Sequence, residues 1–143
     1  MWKYKSCDNQ NISLHDHSID KIFLDNDDII LFFSEGFDVV KTHELNNTGK
    51  SKHTTASQIV LKNAKFIRGF IGEEEIKFDS LINLTCDFEI LEFNSGEKTF
   101  SIYANSCSYK PKYDREYAEI EFSCSEVLFC WNDYSNNAWF EDF

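Results

Sequence analysis

Apolar and polar residues alternate with a period of two along most of this 143-residue chain, the pattern of half-buried β-strands. Trp2 and Tyr4 alternate with Lys3 and Lys5, a short strand whose lysines suit a sheet edge. Residues 12–40 read as strand, turn, strand, turn, strand. Within them Ile19, Lys21 and Phe23 project to one side and Asp20, Ile22 and Leu24 to the other; residues 25–28 interrupt the run and residues 29–33 resume it. The pattern dissolves over residues 41–55, a polar loop too long for a tight turn and of the length that is either mobile or functional.

A strand pattern returns over residues 56–71, with Gly69 and Gly72 marking a bend or an end. Glu73, Glu74 and Glu75 read as a solvated connection. Asp79 can cap one short helix running to Leu84, the only helix the sequence supports. Residues 87–93 and 98–103 alternate on either side of Asn94-Ser-Gly-Glu97, where Gly96 suits a turn with positive φ. After a polar loop around Pro111, residues 117–125 direct Ala118, Ile120, Phe122 and Cys124 to one side. The phase then slips at Ser125-Glu126, as a bulge would produce, before Val127, Phe129 and Trp131. Trp139 and Phe143 close a tail expected to pack down.

Composition supports this reading. The apolar material includes 14 Phe, 6 Tyr and 3 Trp, types that favour pleated surfaces over helices. A chain of this length buries roughly 68–70% of its unfolded surface, enough for a core without staples. The expected fold class is all-β, or β-dominated α+β: an antiparallel meander forming a β-sandwich or barrel, with at most one or two short helices, in one domain spanning residues 1–143. Its expected core contains Ile22, Leu24, Ile30, Phe32, Phe88, Ile90, Ile120 and Phe122.

Cys7, Cys86, Cys107, Cys124 and Cys130 are odd in number and contain no Cys-x-x-Cys pair, so no zinc-ribbon or thioredoxin-type motif is present. No signal-length apolar segment and no run of eighteen apolar residues occurs. The expectation is a reduced, cytoplasmic protein with no membrane span. Up to Gly72 the chain carries nine Lys/Arg and nine Asp/Glu; from Glu73 onward it carries five and sixteen. The whole net charge of −11 therefore sits in the second half. That balance argues against nucleic acid as a partner and suits a basic protein, although solubility alone also favours a charged surface.

Candidate chemistry is sparse. His15-Asp16-His17 places two histidines at i and i+2, which on a strand share a face and can share a metal. His43, His53 and Cys7 complete the ligand set only by residue type, and a plain turn accounts for the motif, so no metal or other cofactor is implied. Gly49-Lys50-Ser51 imitates the end of a phosphate-binding loop, but Glu44 stands where its first glycine belongs. Residues 25–28 fail as a calcium loop because Ile30 occupies the obligatory glycine position. No nucleophile motif is present, and the balance leans away from an enzyme. The most specific feature is the polar set of the later strands: Asp87 and Glu89, and Glu119 with Glu121. If their strands share a sheet they form one negative surface able to steer a basic partner; an ordinary solvated face is the competing reading. Two functions follow as expectations. One is a non-catalytic protein-binding module, in its sharper form an inhibitor or immunity-type protein covering a basic partner. The other is a barrel or sandwich holding a small apolar ligand or substrate among aromatic side chains.

Overall fold

The structure, a computed structural model, describes residues 1–84, 86–108 and 113–141; Pro111 and Phe143 lie outside them. The first half contains β1 (Tyr4–Ser6), β2 (Ile12–Ser13), β3 (Ser18–Ile19), β4 (Lys21–Asp25), β5 (Asp28–Phe33) and β6 (Asp38–Val39). It continues with β7 (Lys52–Thr54), β8 (Ser57–Lys62), β9 (Lys65–Ile71) and β10 (Glu74–Glu75), then the helix α1 (Phe78–Ile82). The remaining strands are β11 (Cys86–Ser95), β12 (Thr99–Ser108), β13 (Tyr117–Ser123), β14 (Glu126–Trp131) and β15 (Tyr134–Asn137). All pairings are antiparallel. They build a five-stranded sheet in the order β1-β14-β8-β5-β4, a six-stranded sheet β10-β9-β13-β12-β11-β3, and a four-stranded sheet β15-β7-β6-β2. The architecture is an all-β antiparallel sandwich with one short helix. No helix among the described residues is long and apolar enough to cross a membrane.

The chain passes between the two large sheets three times, at Asp20, at Asn63-Ala64 and at Cys124-Ser125. Residues 12–40 are therefore not one continuous meander, because their strands are shared among all three sheets. Asn63, at φ 47°, turns β8 into β9. The slip at Ser125-Glu126 is also a crossing and not a bulge. Register shifts do occur elsewhere, between Ile90 and Glu92, at Glu121/Phe122 and between Tyr134 and Asn136.

The inner faces of the sheets meet in one core. A row of directly paired residues, Ile22, Leu31, Ile59 and Phe129, crosses the five-stranded sheet. Facing it from the six-stranded sheet are Phe88, Ile90, Phe100, Ile102, Ile120 and Phe122, each at most 2% exposed. Phe37 packs edge-on against Phe33, Phe129 and Trp131, geometry that aromatic quadrupoles favour.

The β5 register differs from the expectation. Leu24 and Phe32 are not core residues: Leu24 is 53% exposed and Phe32 is half-buried, while Ile29, Leu31 and Phe33 take the interior. Leu24 shares the inward face with Ile22 but lies at the end of the edge strand β4, whereas for Phe32 the cause is the β4–β5 turn. Asp25 pairs with Asp28, leaving only Asn26 and Asp27 as the loop, with Asn26 at φ 56°. A two-residue hairpin of this kind fixes its register at the turn. Ile30 is buried all the same, on the opposite face of the sheet in a row with Phe23, Val60 and Leu128.

The helix falls where the sequence places it, but Lys77 occupies the N-cap without a side-chain bond and Asp79 lies inside the first turn. There its charge complements the N-terminal dipole instead of capping. Gly96 does not adopt a positive φ; its N–H donates to the Thr99 carbonyl at 2.9 Å to close the β11–β12 turn. Trp139 is 56% exposed and packs edge-on against neighbouring Phe140, so the tail is partly solvated. The loop after β6 is ordered: the Asn46 amide donates to the Val39 and Lys50 carbonyls at 3.1 and 2.9 Å, tying both ends together.

Candidate functional site

Alternation along β11, β12 and β13 sends one residue of each pair to the core and the next to solvent. Asp87, Glu89, Glu119 and Glu121 all leave by the outer face of the six-stranded sheet, with β12 between the two pairs. The bulge at Leu91 adds to this set. Strict alternation from Glu89 would put Leu91 outside and Glu92 inside. The extra residue instead returns Glu92 to the outer face opposite Tyr103 and brings Phe93 inward opposite Ile102. The doublet Ile90-Leu91 in an otherwise alternating strand is the sequence signal for it.

One row crosses five strands: Glu92, Tyr103, Glu119, Phe70 and Glu75, each directly paired with the next. Carboxylate and aromatic ring alternate along it. A second row carries Glu89, Asn105 and Tyr117. Tyr117 is 47% exposed. Burial and then the carboxylate of Glu119 push its phenol above the ordinary range, with Glu92 adding to the effect. Arg68 is the one cation in the outward positions of this central region among the described residues, and its guanidinium reaches Glu121 at 2.9 Å. Glu121 is thus locally neutralised, whereas Glu119 and Glu92 form no ion pair with a cation among the described residues. Asp87 sits at the end of β11, where partial burial and the carboxylate of Asp20 raise its pKa. A shallow depression of about 250 Å³ lies over the rows, lined by Arg68, Phe70, Ser101, Tyr103, Glu119 and Glu121 among others.

The two histidines of the His-Asp-His motif part company. Asp16 has φ 68°, which breaks the strand between them. His15 is exposed, and its Nδ1 lies 2.9 Å from the Leu91 carbonyl. His17 turns inward, its Nε2 2.7 Å from Asp38 Oδ2, and His53 Nδ1 approaches the other oxygen of Asp38 at 2.8 Å. Asp38 and His53 are paired residues of β6 and β7. Gly36 makes this approach feasible: at φ 79° it turns β5 into β6, and any Cβ there would run into the backbone oxygens of Thr54 and Thr55. The sequence carries a signal for Asp38, a lone carboxylate within Phe37-Asp38-Val39-Val40, because buried Asp is nearly always paired.

His43 is distinct from both groups. Its ring is buried edge-on against Trp131, 5.3 Å between centroids, and Nδ1 accepts the Leu45 N–H at 3.1 Å. Burial lowers its pKa, outweighing Asp8, whose carboxylate is 3.9 Å away, and Glu44. The five cysteines are free, and burial is the leading cause of a raised pKa at every one, to about 11 at Cys86 and Cys130. None is an activated thiolate. Comparisons with protein-family models, curated proteins and solved structures each return no match.

Proposed function

We propose that this chain is a non-catalytic binding module whose acidic and aromatic sheet face covers a basic protein partner, in the manner of an inhibitor or immunity-type protein. The observation that carries this reading is the row Glu92, Tyr103, Glu119, Phe70 and Glu75. A plain solvated strand face has no need of large aromatics between its carboxylates. Tyrosine and phenylalanine flanking acids match the chemistry that receives lysine or arginine, since rings bind the cation's face and stem while the carboxylate binds its charge. Like charges gathered on one sheet face also repel one another at a cost to stability. A bound cationic surface relieves that repulsion and accelerates encounter. Five unpaired thiols suit a reducing compartment, so the proposed setting is cytoplasmic.

The test is affinity capture from the native host with the wild-type chain and with a Glu92→Lys, Glu119→Lys double variant. Glu121 is left intact because a lysine there would confront Arg68. The reading expects a basic protein retained by the wild type and lost by the variant, with both baits showing the same thermal midpoint. Retention of the same proteins by both baits would refute it.

A further inference from the structure

We propose that His17, Asp38 and His53 form a binding site for one divalent transition-metal ion, with zinc the best-matched ion. The three residues come from separate parts of the chain: the turn before β3, the strand β6 and the strand β7. One ligand atom from each lies within 4.8 Å of the others. Asp38 is fully buried, yet both of its oxygens are directed at imidazole nitrogens, at 2.7 and 2.8 Å. No Lys or Arg ion pair reaches this carboxylate among the described residues; its contacts with His17 and His53 are its only ion-pair geometry. A buried carboxylate requires a compensating positive charge.

The orientation of His53 points to what supplies it. Its Nε2 lies against the main-chain carbonyl of Glu35 and its Nδ1 against Asp38, so the ring is clamped between two oxygens with one nitrogen directed at the carboxylate. A metal ion bound at that nitrogen would bring the positive charge the carboxylate requires. A histidine whose far nitrogen is anchored on a backbone carbonyl is the usual outer support of a metal ligand, because the anchor fixes both tautomer and ring direction. The Gly36 turn holds the Glu35 carbonyl in place and is itself sterically restricted.

Donor spacing fits as well. Tetrahedral bonds of about 2.0 Å place ligand atoms about 3.3 Å apart, so small side-chain rotations convert the present contacts into a coordination shell. The two rings lie 4.8 Å apart and tilted by 42°, converging on the carboxylate instead of stacking face to face. Two imidazoles and one carboxylate favour zinc, cobalt or nickel over calcium and magnesium, which prefer all-oxygen shells. The histidine side chains are 12% and 22% exposed, which gives the ion a path inward and leaves its remaining position for water or a small anion.

The experiment uses the full chain carrying Cys7→Ser and Cys107→Ser, so that the exposed thiols do not compete, stripped with a chelator. Zinc is titrated by calorimetry and Co²⁺ by its visible absorption. The proposal expects one ion per chain, affinity reduced by about tenfold or more in His17→Ala and in His53→Ala, and no change in His15→Ala. Far-UV circular dichroism confirms that each variant is folded; should one histidine variant unfold, the other carries the comparison. Absence of uptake by the folded parent protein, or uptake that survives both histidine substitutions, would overturn the site and leave the cluster a hydrogen-bonded element of the fold.

Discussion

Leu24 lies directly opposite Ile29 across a two-residue turn, and this pairing decides which side of β5 enters the core. It commits Leu31 and Phe33 to the interior and turns Phe32 outward. Phe33→Ala is expected to cost roughly 3–5 kcal/mol, as truncation of a fully buried phenylalanine does. Phe32→Ala should cost clearly less. Urea denaturation midpoints of the two variants make the comparison, and equal losses would contradict the register.

The elements of this fold were more legible in the sequence than their assignment to sheets. Alternation exposed the β11–β12 hairpin and the inward set Ile120 and Phe122, because one face of those strands is dry and the other wet. It failed at β5, where Ile29 to Phe33 are apolar throughout and the outer row Phe23, Ile30, Val60 and Leu128 is itself partly covered, so periodicity carries no information about face. The three crossings were hidden for another reason. Asp20, Asn63-Ala64 and Cys124-Ser125 are too short to look like connections, and a phase slip looks the same whether the chain bulges or changes sheet. The acidic face was legible as residue types, but the Glu92 to Glu75 row depends on long-range register and on the Leu91 bulge. The cluster of His17, Asp38 and His53 joins positions 36 residues apart through a turn and two strands, which no local spacing encodes.

Gly36 separates backbone strain from steric exclusion. Gly36 and Gly49 share φ 79°, but a Cβ at Gly36 meets backbone oxygens and one at Gly49 meets nothing. Gly49→Ala should lose about 1 kcal/mol for the left-handed conformation alone, and Gly36→Ala distinctly more. Thermal midpoints of the pair check this ordering, and equal shifts would show that the turn relaxes freely.

His43 gives stability a defined pH dependence. Its folded pKa is lowered from 6.5 by burial, so below pH 6.5 the unfolded chain takes up a proton that the folded chain resists. Its contribution is therefore intact above pH 6.5 and is lost as the pH falls toward the lowered folded value, with a limiting slope of about 1.4 kcal/mol per pH unit. Asp8 and Asp28 act lower down. The Asn11 amide and the Lys62 ammonium, respectively, are the largest causes of their lowered pKa values, so their contributions are present above 3.8 and fade as the pH drops through the folded values. Urea midpoints measured from pH 7.5 to 5 should fall in the wild type and fall less steeply in His43→Phe. Parallel curves would contradict the assignment.

In the proposed complex Glu92 and Glu119 of the acidic and aromatic row receive a basic protein surface. The most direct measurement is the association rate constant of the captured partner as salt rises from about 20 to 200 mM, a range over which the screening length shrinks below the reach of long-range steering. A fall of about tenfold or more is expected for the wild-type chain, and a slow, nearly salt-independent rate for the Glu92→Lys, Glu119→Lys variant. A rate that ignores both salt and the double substitution would contradict it.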